Sequence, residues 1–309
     1  MHIGKNLKSR YHLVKKLDEG GFGKTYLAKD LDLPSNPTLV VKHLSPQDSS
    51  PEVLSTAEKL FDREAKCLDK LGKQHPQIPT LYAYFREEGE FYLVQEYIEG
   101  HPLSKELIQG KQWNESDVIL LLQDILQVLE FVHKNQAIHR DLKPANLIRR
   151  SCDGKIVLID FGAVKQVSTQ ATNFQGKVAS TVAVGTHGYM PSEQATGYPQ
   201  PCSDIYALGI IAIKALTGII RQDLPKNNDT LEVMWRNQAP HVSYGLAKVL
   251  DKMVCYDCRD RYQNASEALE DVEMLKDKVV VTVSEHKSED WLKSNYVFDS
   301  LDSTIAVGA

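Results

Sequence analysis

The sequence predicts an α+β fold with two lobes, a small strand-rich lobe and a larger, mainly helical one. Apolar residues alternate in several short runs within the first hundred residues, including YHLVKKL, TLVVKHL and FYLVQEYI, which is typical of strands. From Asn114 onward, apolar residues instead recur at steps of three and four, the spacing of a helix. The most apolar stretch, IYALGIIAIKALTGII, contains Lys214 and is shorter than a bilayer span, so it predicts a buried helix.

Composition narrows the possible class of protein. A chain of 309 residues, of which 42% are hydrophobic, can bury a substantial core. The formal net charge of -5 argues against a nucleic-acid partner. Five cysteines form an odd set without a disulfide framework, which favours a reducing compartment, so we expect a cytoplasmic protein. We also expect no membrane span and no signal peptide, because the stretch MHIGKNLKSR has no apolar centre.

In the small lobe, two alternating runs are joined by the glycine-rich string DEGGFGK, which predicts a hairpin. Without side chains, Gly20, Gly21 and Gly23 would let backbone N–H groups approach an anion, although a plain tight turn is an equally good interpretation. The next strand, TLVVKHL, carries Lys42 near its end. A helix is predicted over STAEKLFDREAKCLDKL and contains Glu64. Taken alone, Lys42 could be an exposed edge charge and Glu64 a solvated carboxylate.

Two further strands, IPTLYAYF and FYLVQEYIEG, complete the five strands and one main helix expected in the small lobe. The predicted lobe boundaries are residues 11–95 for the small N-lobe, 96–99 for a hinge and 100–273 for the large C-lobe. Residues 1–10 would form an N-terminal extension. Residues 274–309 would form a tail that is either disordered or docked on a lobe, with a short β-prone run, VVVTV, beginning at residue 279.

The string HRDLKPANL, residues 139–147, is the strongest chemical signal. It places Asp141, Lys143 and Asn146 around Pro144, which cannot continue a helix. Phosphoryl transfer needs a carboxylate for the attacking hydroxyl, a cation for the moving phosphoryl group and oxygen ligands for Mg²⁺. A predicted hairpin follows and ends in Asp160, fourteen residues beyond Asn146, where it could supply a second metal ligand. The alternative is a charged surface turn.

These motifs resemble those of eukaryotic-type protein kinases, because HRDLKPANL matches their pattern H-R-D-L-x-x-x-N and a D-F-G tripeptide follows at Asp160. The resemblance covers residues 11–273 and implies a two-lobed protein kinase fold. Strings such as EGGFGKTYLAKD and SDIYALG are similar to the eukaryotic-like serine/threonine kinases of bacteria. The glycine-rich loop departs from the family pattern, since Asp18 stands at its first glycine and Thr25 at its valine.

The resemblance implies transfer of the γ-phosphate of ATP to serine or threonine hydroxyls of protein substrates. Asp141 would accept the hydroxyl proton and Lys143 would steady the phosphoryl group. Asn146 and Asp160 would hold Mg²⁺, with Mn²⁺ as an alternative. The remaining residues implied to bind ATP come from the glycine-rich loop, the strand lysine with its helix partner, and the hinge: Leu17, Asp18, Glu19, Gly20, Gly21, Phe22, Gly23, Lys24, Thr25, Lys42, Glu64, Glu96 (C=O) and Ile98 (N–H).

The resemblance also implies regulation by the polar, Ser/Thr-rich segment between Asp160 and Glu193. Arg140 would bind a phosphate carried by this segment, with autophosphorylation expected at Thr181 first and Ser180 second. Arg261 matches the arginine that pairs with the Glu193 position.

Asp204 lies at the start of the predicted apolar helix, immediately before Ile205. As a buried acid it would need hydrogen-bond donors, which the backbone N–H groups of the turn at residues 139–141 could supply.

Two alternatives remain at this point. A pseudokinase would bind nucleotide without turnover, and Asp18 and Thr25 favour it. A small-molecule kinase of the related aminoglycoside type is opposed by Lys143 and by the string GTHGY, because both serve a peptide substrate.

Overall fold

The computed structural model describes residues 3–20, 23–45, 51–161, 165–166 and 188–283. The chain forms a strand-rich N-lobe followed by a mainly helical C-lobe, so the predicted α+β fold class is confirmed. Gly21, Phe22, Ser180 and Thr181 lie outside the described residues, as does the tail from residue 284.

The N-lobe is a six-stranded antiparallel sheet in the order β1-β2-β3-β4-β6-β5. Its strands are β1 (Asn6–Leu7), β2 (Tyr11–Gly20), β3 (Gly23–Asp30), β4 (Thr38–Leu44), β5 (Leu81–Glu87) and β6 (Glu90–Glu96). The predicted count of five is therefore one too low. The additional strand, β1, pairs Leu7 with Tyr11, and Leu7 is fully buried. Two residues are too short to show strand alternation in the sequence, so packing of Leu7 decides this element.

The two faces of the sheet have different roles. One face carries its own apolar core, formed by Leu7, Tyr11, Leu13, Tyr26, Ala28, Leu39, Val41, Tyr92 and Val94. Directly paired residues of antiparallel strands project to the same face, and Lys42 is paired with Thr25 and Leu93. Lys42 alternates with Val41, so its side chain projects to the opposite face, where helix α1 (Pro51–Leu71) carries Glu64. Sheet register thus brings the lysine to the helix.

The C-lobe is built on α2 (Glu115–Lys134), α4 (Pro201–Thr217), α5 (Tyr244–Met253) and α6 (Ala265–Val283), with the short α3 (Ser192–Ala195) before α4. Helix α2 begins as predicted, because the Asn114 side chain accepts a hydrogen bond from Asp117 N at 2.8 Å. The apolar run at Ile205 lies in α4, which is almost wholly buried and is capped after Thr217 by Gly218, with a φ of 69°. In the described part of the chain, no helix combines the length and apolarity needed to cross a bilayer.

Short strands lie before α2 and in the connections that follow it: β7 (Gly100–Pro102), β8 (Ala137–Ile138), β9 (Leu147–Arg150), β10 (Ile156–Leu158) and β11 (Lys165–Gln166). Strands β9 and β10 form the hairpin predicted before Asp160.

The end of α6 differs from the expectation of a β-prone run at residues 279–283, because these residues continue the helix to Val283. A helix that is already nucleated propagates through β-branched residues at a modest cost per residue.

Candidate active site

The catalytic-loop residues converge on one carboxylate. Asp141 Oδ2 lies 2.8 Å from Lys143 Nζ and accepts a hydrogen bond from Asn146 Nδ2 at 2.9 Å. Asn146 Nδ2 also donates to the Asp141 backbone carbonyl at 2.9 Å. A short 3₁₀ helix, Pro144–Asn146, folds the chain back so that these contacts form. Because both donor bonds go to Asp141, the amide oxygen of Asn146 is directed away from that residue.

A buried acid supports the start of this loop. Asp204 is 1% exposed and accepts hydrogen bonds from His139 N at 2.8 Å and from Arg140 N at 2.9 Å, which confirms the expectation that it binds the backbone of the turn. His133 Nε2 lies 3.1 Å from Asp204 Oδ2. Burial alone would raise the pKa of Asp204, but the hydrogen bond from His133 and the loop amides hold that pKa below its ordinary value.

Lys42 joins the two lobes. Its Nζ donates to Glu64 Oε1 on α1 and lies 3.1 Å from Asp160 Oδ1, which follows β10. Burial alone would lower the pKa of Lys42, but the Asp160 and Glu64 carboxylates raise it above the ordinary value. The same lysine lowers the pKa of Asp160. Burial acts in the opposite direction on the third group and raises the pKa of the Glu64 carboxyl, an effect that Lys42 partly offsets.

Asp160 is held at the end of its strand by packing around Phe161. The Phe161 side chain is fully buried against His139, with ring centroids 4.8 Å apart. His139 Nε2 lies 3.1 Å from the Ile159 carbonyl oxygen. Asp160 has a left-handed φ of 69°, an uncommon conformation for a residue other than glycine. This backbone turn lets the carboxylate face Lys42 while the neighbouring ring enters the core.

The glycine-rich loop is described on both sides of its tip. Leu17 is 44% exposed in β2, Asp18 is paired with Thr25, and Glu19 is paired with Lys24. Gly20 is paired with Gly23. A Cβ added at Gly23 would lie 2.4 Å from the His43 carbonyl oxygen, so the close approach of β4 by itself requires glycine there.

At the predicted hinge, Glu96 ends β6 and Ile98 lies two residues further along, outside any strand or helix. Glu96 N donates to Thr80 O at 2.9 Å, and the Glu96 carboxylate accepts from Thr80 N at 3.1 Å. Gln95 is 4% exposed, and its Oε1 has no hydrogen-bond partner among the described residues.

The end of the Ser/Thr-rich segment, at Glu193, is anchored to the C-lobe. Glu193 pairs with Arg261 through contacts of 2.7 and 3.3 Å, as the sequence predicted. Arg261 is 3% exposed and also donates to the carbonyl oxygens of Cys255 and Tyr256 at 2.6 and 2.9 Å. Such a satisfied, buried ion pair holds the short helix α3 on the lobe.

Two polar contacts of the site were not foreseen. His133 on α2 contacts Asp204, and Gln194 Nε2 donates to the Arg140 carbonyl at 2.5 Å. For His133, the only indication in the sequence was that this polar residue lies beside the apolar face of a predicted helix. A single glutamine after Glu193 carries no periodic pattern, so nothing in the sequence pointed to Gln194.

The chain matches the protein kinase domain model over residues 11–272. It is 48% identical to serine/threonine-protein kinase C of Synechocystis, over 85% of this chain and 49% of that protein. It is 45% identical to serine/threonine-protein kinase PknA of Nostoc, over 87% of this chain and 48% of the relative. It is 26% identical to serine/threonine-protein kinase PrkC of Bacillus subtilis, over 90% of this chain and 42% of that protein.

The chain thus spans about half the length of the relatives it matches. The matched region contains every group of the site described above and both lobes except β1 and the end of α6. This chain belongs to the protein kinase domain family, among the eukaryotic-like serine/threonine kinases of bacteria.

Proposed function

We propose that this chain transfers the γ-phosphate of ATP to serine or threonine hydroxyls of protein substrates. The observation that carries the proposal is that one site contains both the Asp141, Lys143 and Asn146 cluster and the Lys42–Asp160 pair. The hydrogen bond from Ile159 N to Asn146 O, 3.0 Å long, joins the two groups of residues. A positioned carboxylate, oxygen donors for a metal and fixed cations are what phosphoryl transfer requires of a protein.

Members of this family use ATP and a divalent metal ion. The donor set fits Mg²⁺, because Asn146 directs its amide oxygen away from Asp141 and Asp160 offers a carboxylate. Magnesium usually takes one or two protein oxygens and completes its coordination with substrate phosphates and water. Within the described residues, no group of three His, Cys, Asp or Glu side chains could hold a metal by itself.

Each residue then has a defined task. The Asp141 carboxylate, held by Lys143 and Asn146, orients the acceptor hydroxyl and accepts its proton. Lys143 also faces the transferred phosphoryl group, and Lys42 orients the α- and β-phosphates. When bound, the metal ion offsets negative charge on the phosphates. At the hinge, the Glu96 C=O and the Ile98 N–H would form hydrogen bonds with the adenine ring.

The test is transfer of radiolabel from the γ-phosphate of ATP to a generic protein such as dephosphorylated casein. We expect transfer by the wild-type chain and its loss in Asp160→Asn, since that variant weakens metal binding. Asp153→Asn is the matched control, because Asp153 lies in the β9–β10 turn and pairs with Arg150, away from the site. Nucleotide binding without transfer would indicate a pseudokinase, and phosphorylation of small alcohols alone would indicate a small-molecule kinase.

We also propose that autophosphorylation at Thr181, and secondarily at Ser180, activates the chain. Support comes from Arg140, which is 3% exposed and whose pKa is lowered by burial and by nearby Arg63. The positive charges of Arg140 and Arg63 therefore destabilise each other. A phosphate near these two arginines would offset that repulsion and be stabilised by both.

Mass spectrometry of active protein is expected to locate phosphate at Thr181, and both phosphatase treatment and Thr181→Ala are expected to lower activity. Full activity in protein without phosphate between residues 163 and 190 would contradict this mode of activation.

A further inference from the structure

Arg140, the residue before Asp141, has a left-handed backbone conformation, with a φ of 70°. This conformation is uncommon for residues with a Cβ and persists where the surroundings hold it in place. Arg140 is also 3% exposed, so its peptide groups need partners within the protein. The contacts that hold this residue therefore determine where Asp141 lies.

The two peptide groups that flank Arg140 are held from different elements. Asp204 of α4 accepts a hydrogen bond from Arg140 N at 2.9 Å, which orients the peptide before the residue. Gln194 of α3 donates through Nε2 to Arg140 O at 2.5 Å, which orients the peptide after it. This second peptide also contains the Asp141 nitrogen. That nitrogen lies 3.4 Å from His139 Nδ1, so the bond from Gln194 is the closer of these two contacts.

Gln194 is itself rigidly held. It is 2% exposed, and it follows Glu193, whose carboxylate pairs with Arg261 and accepts from Ser203 Oγ at 2.7 Å. Helix α3 is thus bound to the C-lobe through Glu193 and to the catalytic loop through Gln194. A fixed donor on a fixed helix can define the orientation of the 140–141 peptide.

We propose that Gln194 is a positioning residue for the catalytic carboxylate: its amide holds the 140–141 peptide and thereby sets the direction of Asp141 toward the acceptor hydroxyl. The inference rests on the proposed kinase function. In this role Gln194 acts through the 140–141 peptide. Its loss should therefore slow the transfer step and leave nucleotide binding nearly unchanged.

The first variant is Gln194→Met, which has a similar length but lacks the donor. We expect kcat to fall by about 10- to 100-fold, because small displacements of a catalytic group have effects of this size. The KM for ATP should change by less than about threefold, since binding in the ground state is retained. Ser203→Ala is the matched comparison: it removes one of the side-chain bonds that hold α3 but leaves the Arg261–Glu193 pair and the Gln194 bond intact, so its kcat should fall much less than that of Gln194→Met.

A second variant, Gln194→Glu, separates positioning from general stability. A protonated carboxyl can donate to the Arg140 carbonyl, whereas the carboxylate cannot. We expect the ratio of its kcat to that of wild type to rise as the pH is lowered, while the ratio for Gln194→Met stays flat. Taking this ratio at each pH separates the effect of the new carboxyl from pH effects that both proteins have in common.

Thermal unfolding and ATP affinity are measured for every variant to show that it is folded. If wild type is active and folded Gln194→Met keeps its kcat, the positioning role is wrong. A flat ratio for folded Gln194→Glu also overturns it, including in the case where the methionine variant does not fold. If wild-type protein transfers no phosphate under any condition, the proposed function itself fails, which distinguishes the two results.

Discussion

Asp141→Asn is expected to lower the turnover number for protein phosphorylation by about 100- to 10,000-fold, the range typical of general acid–base groups. Asparagine has nearly the same shape and keeps one oxygen for the bonds now made by Lys143 and Asn146, but it cannot accept the hydroxyl proton. Affinity for ATP should change little, because the Asp141 carboxylate is held by these two residues of its own loop.

Turnover is measured by transfer from radiolabelled ATP and affinity by calorimetry. Asp117→Asn is the control, since Asp117 lies in the exposed first turn of α2. Wild-type turnover in Asp141→Asn would show that another group accepts the proton. A matching loss in turnover and in ATP affinity would instead mean that the variant had altered the nucleotide site.

Lys42→Met is expected to reduce turnover by two or more orders of magnitude while ATP affinity falls much less, because fixed charges act most strongly on the developing charge of the transition state. The structure adds a stability effect. Glu64 is 4% exposed and would lose its cationic partner, and an unpaired buried charge can cost about 3–5 kcal/mol. Unfolding in denaturant should therefore reveal a destabilised variant.

The double variant Lys42→Met with Glu64→Gln separates the two effects. Removing the orphaned carboxylate should restore much of the stability and none of the turnover. Lys29→Met is a control within the same sheet, since Lys29 donates only to Thr38 Oγ1 among the described contacts. Recovery of turnover in the double variant would show that the single variant had merely been unstable.

Features that depend on residues close in the chain were predictable. The Asn114 cap spans three residues, the grouping of Asp141, Lys143 and Asn146 spans five, and the apolar period of α2 repeats within one helix. In these cases the residue types and their spacing carry the physical information. The matched kinase motifs extended such local patterns to pairs of distant residues, including Glu193 with Arg261.

Contacts made by a single polar residue with a distant element were determined by tertiary packing. Gln194 meets Arg140 across 54 residues, and His133 meets Asp204 across 71, without any repeated pattern in the chain. Packing also determines the secondary structure where the local propensity of the sequence is weak or favours a different structure. Buried Leu7 establishes a two-residue strand, and α6 continues through a β-prone run to Val283. In each case the deciding energy comes from neighbours that only the folded chain brings together.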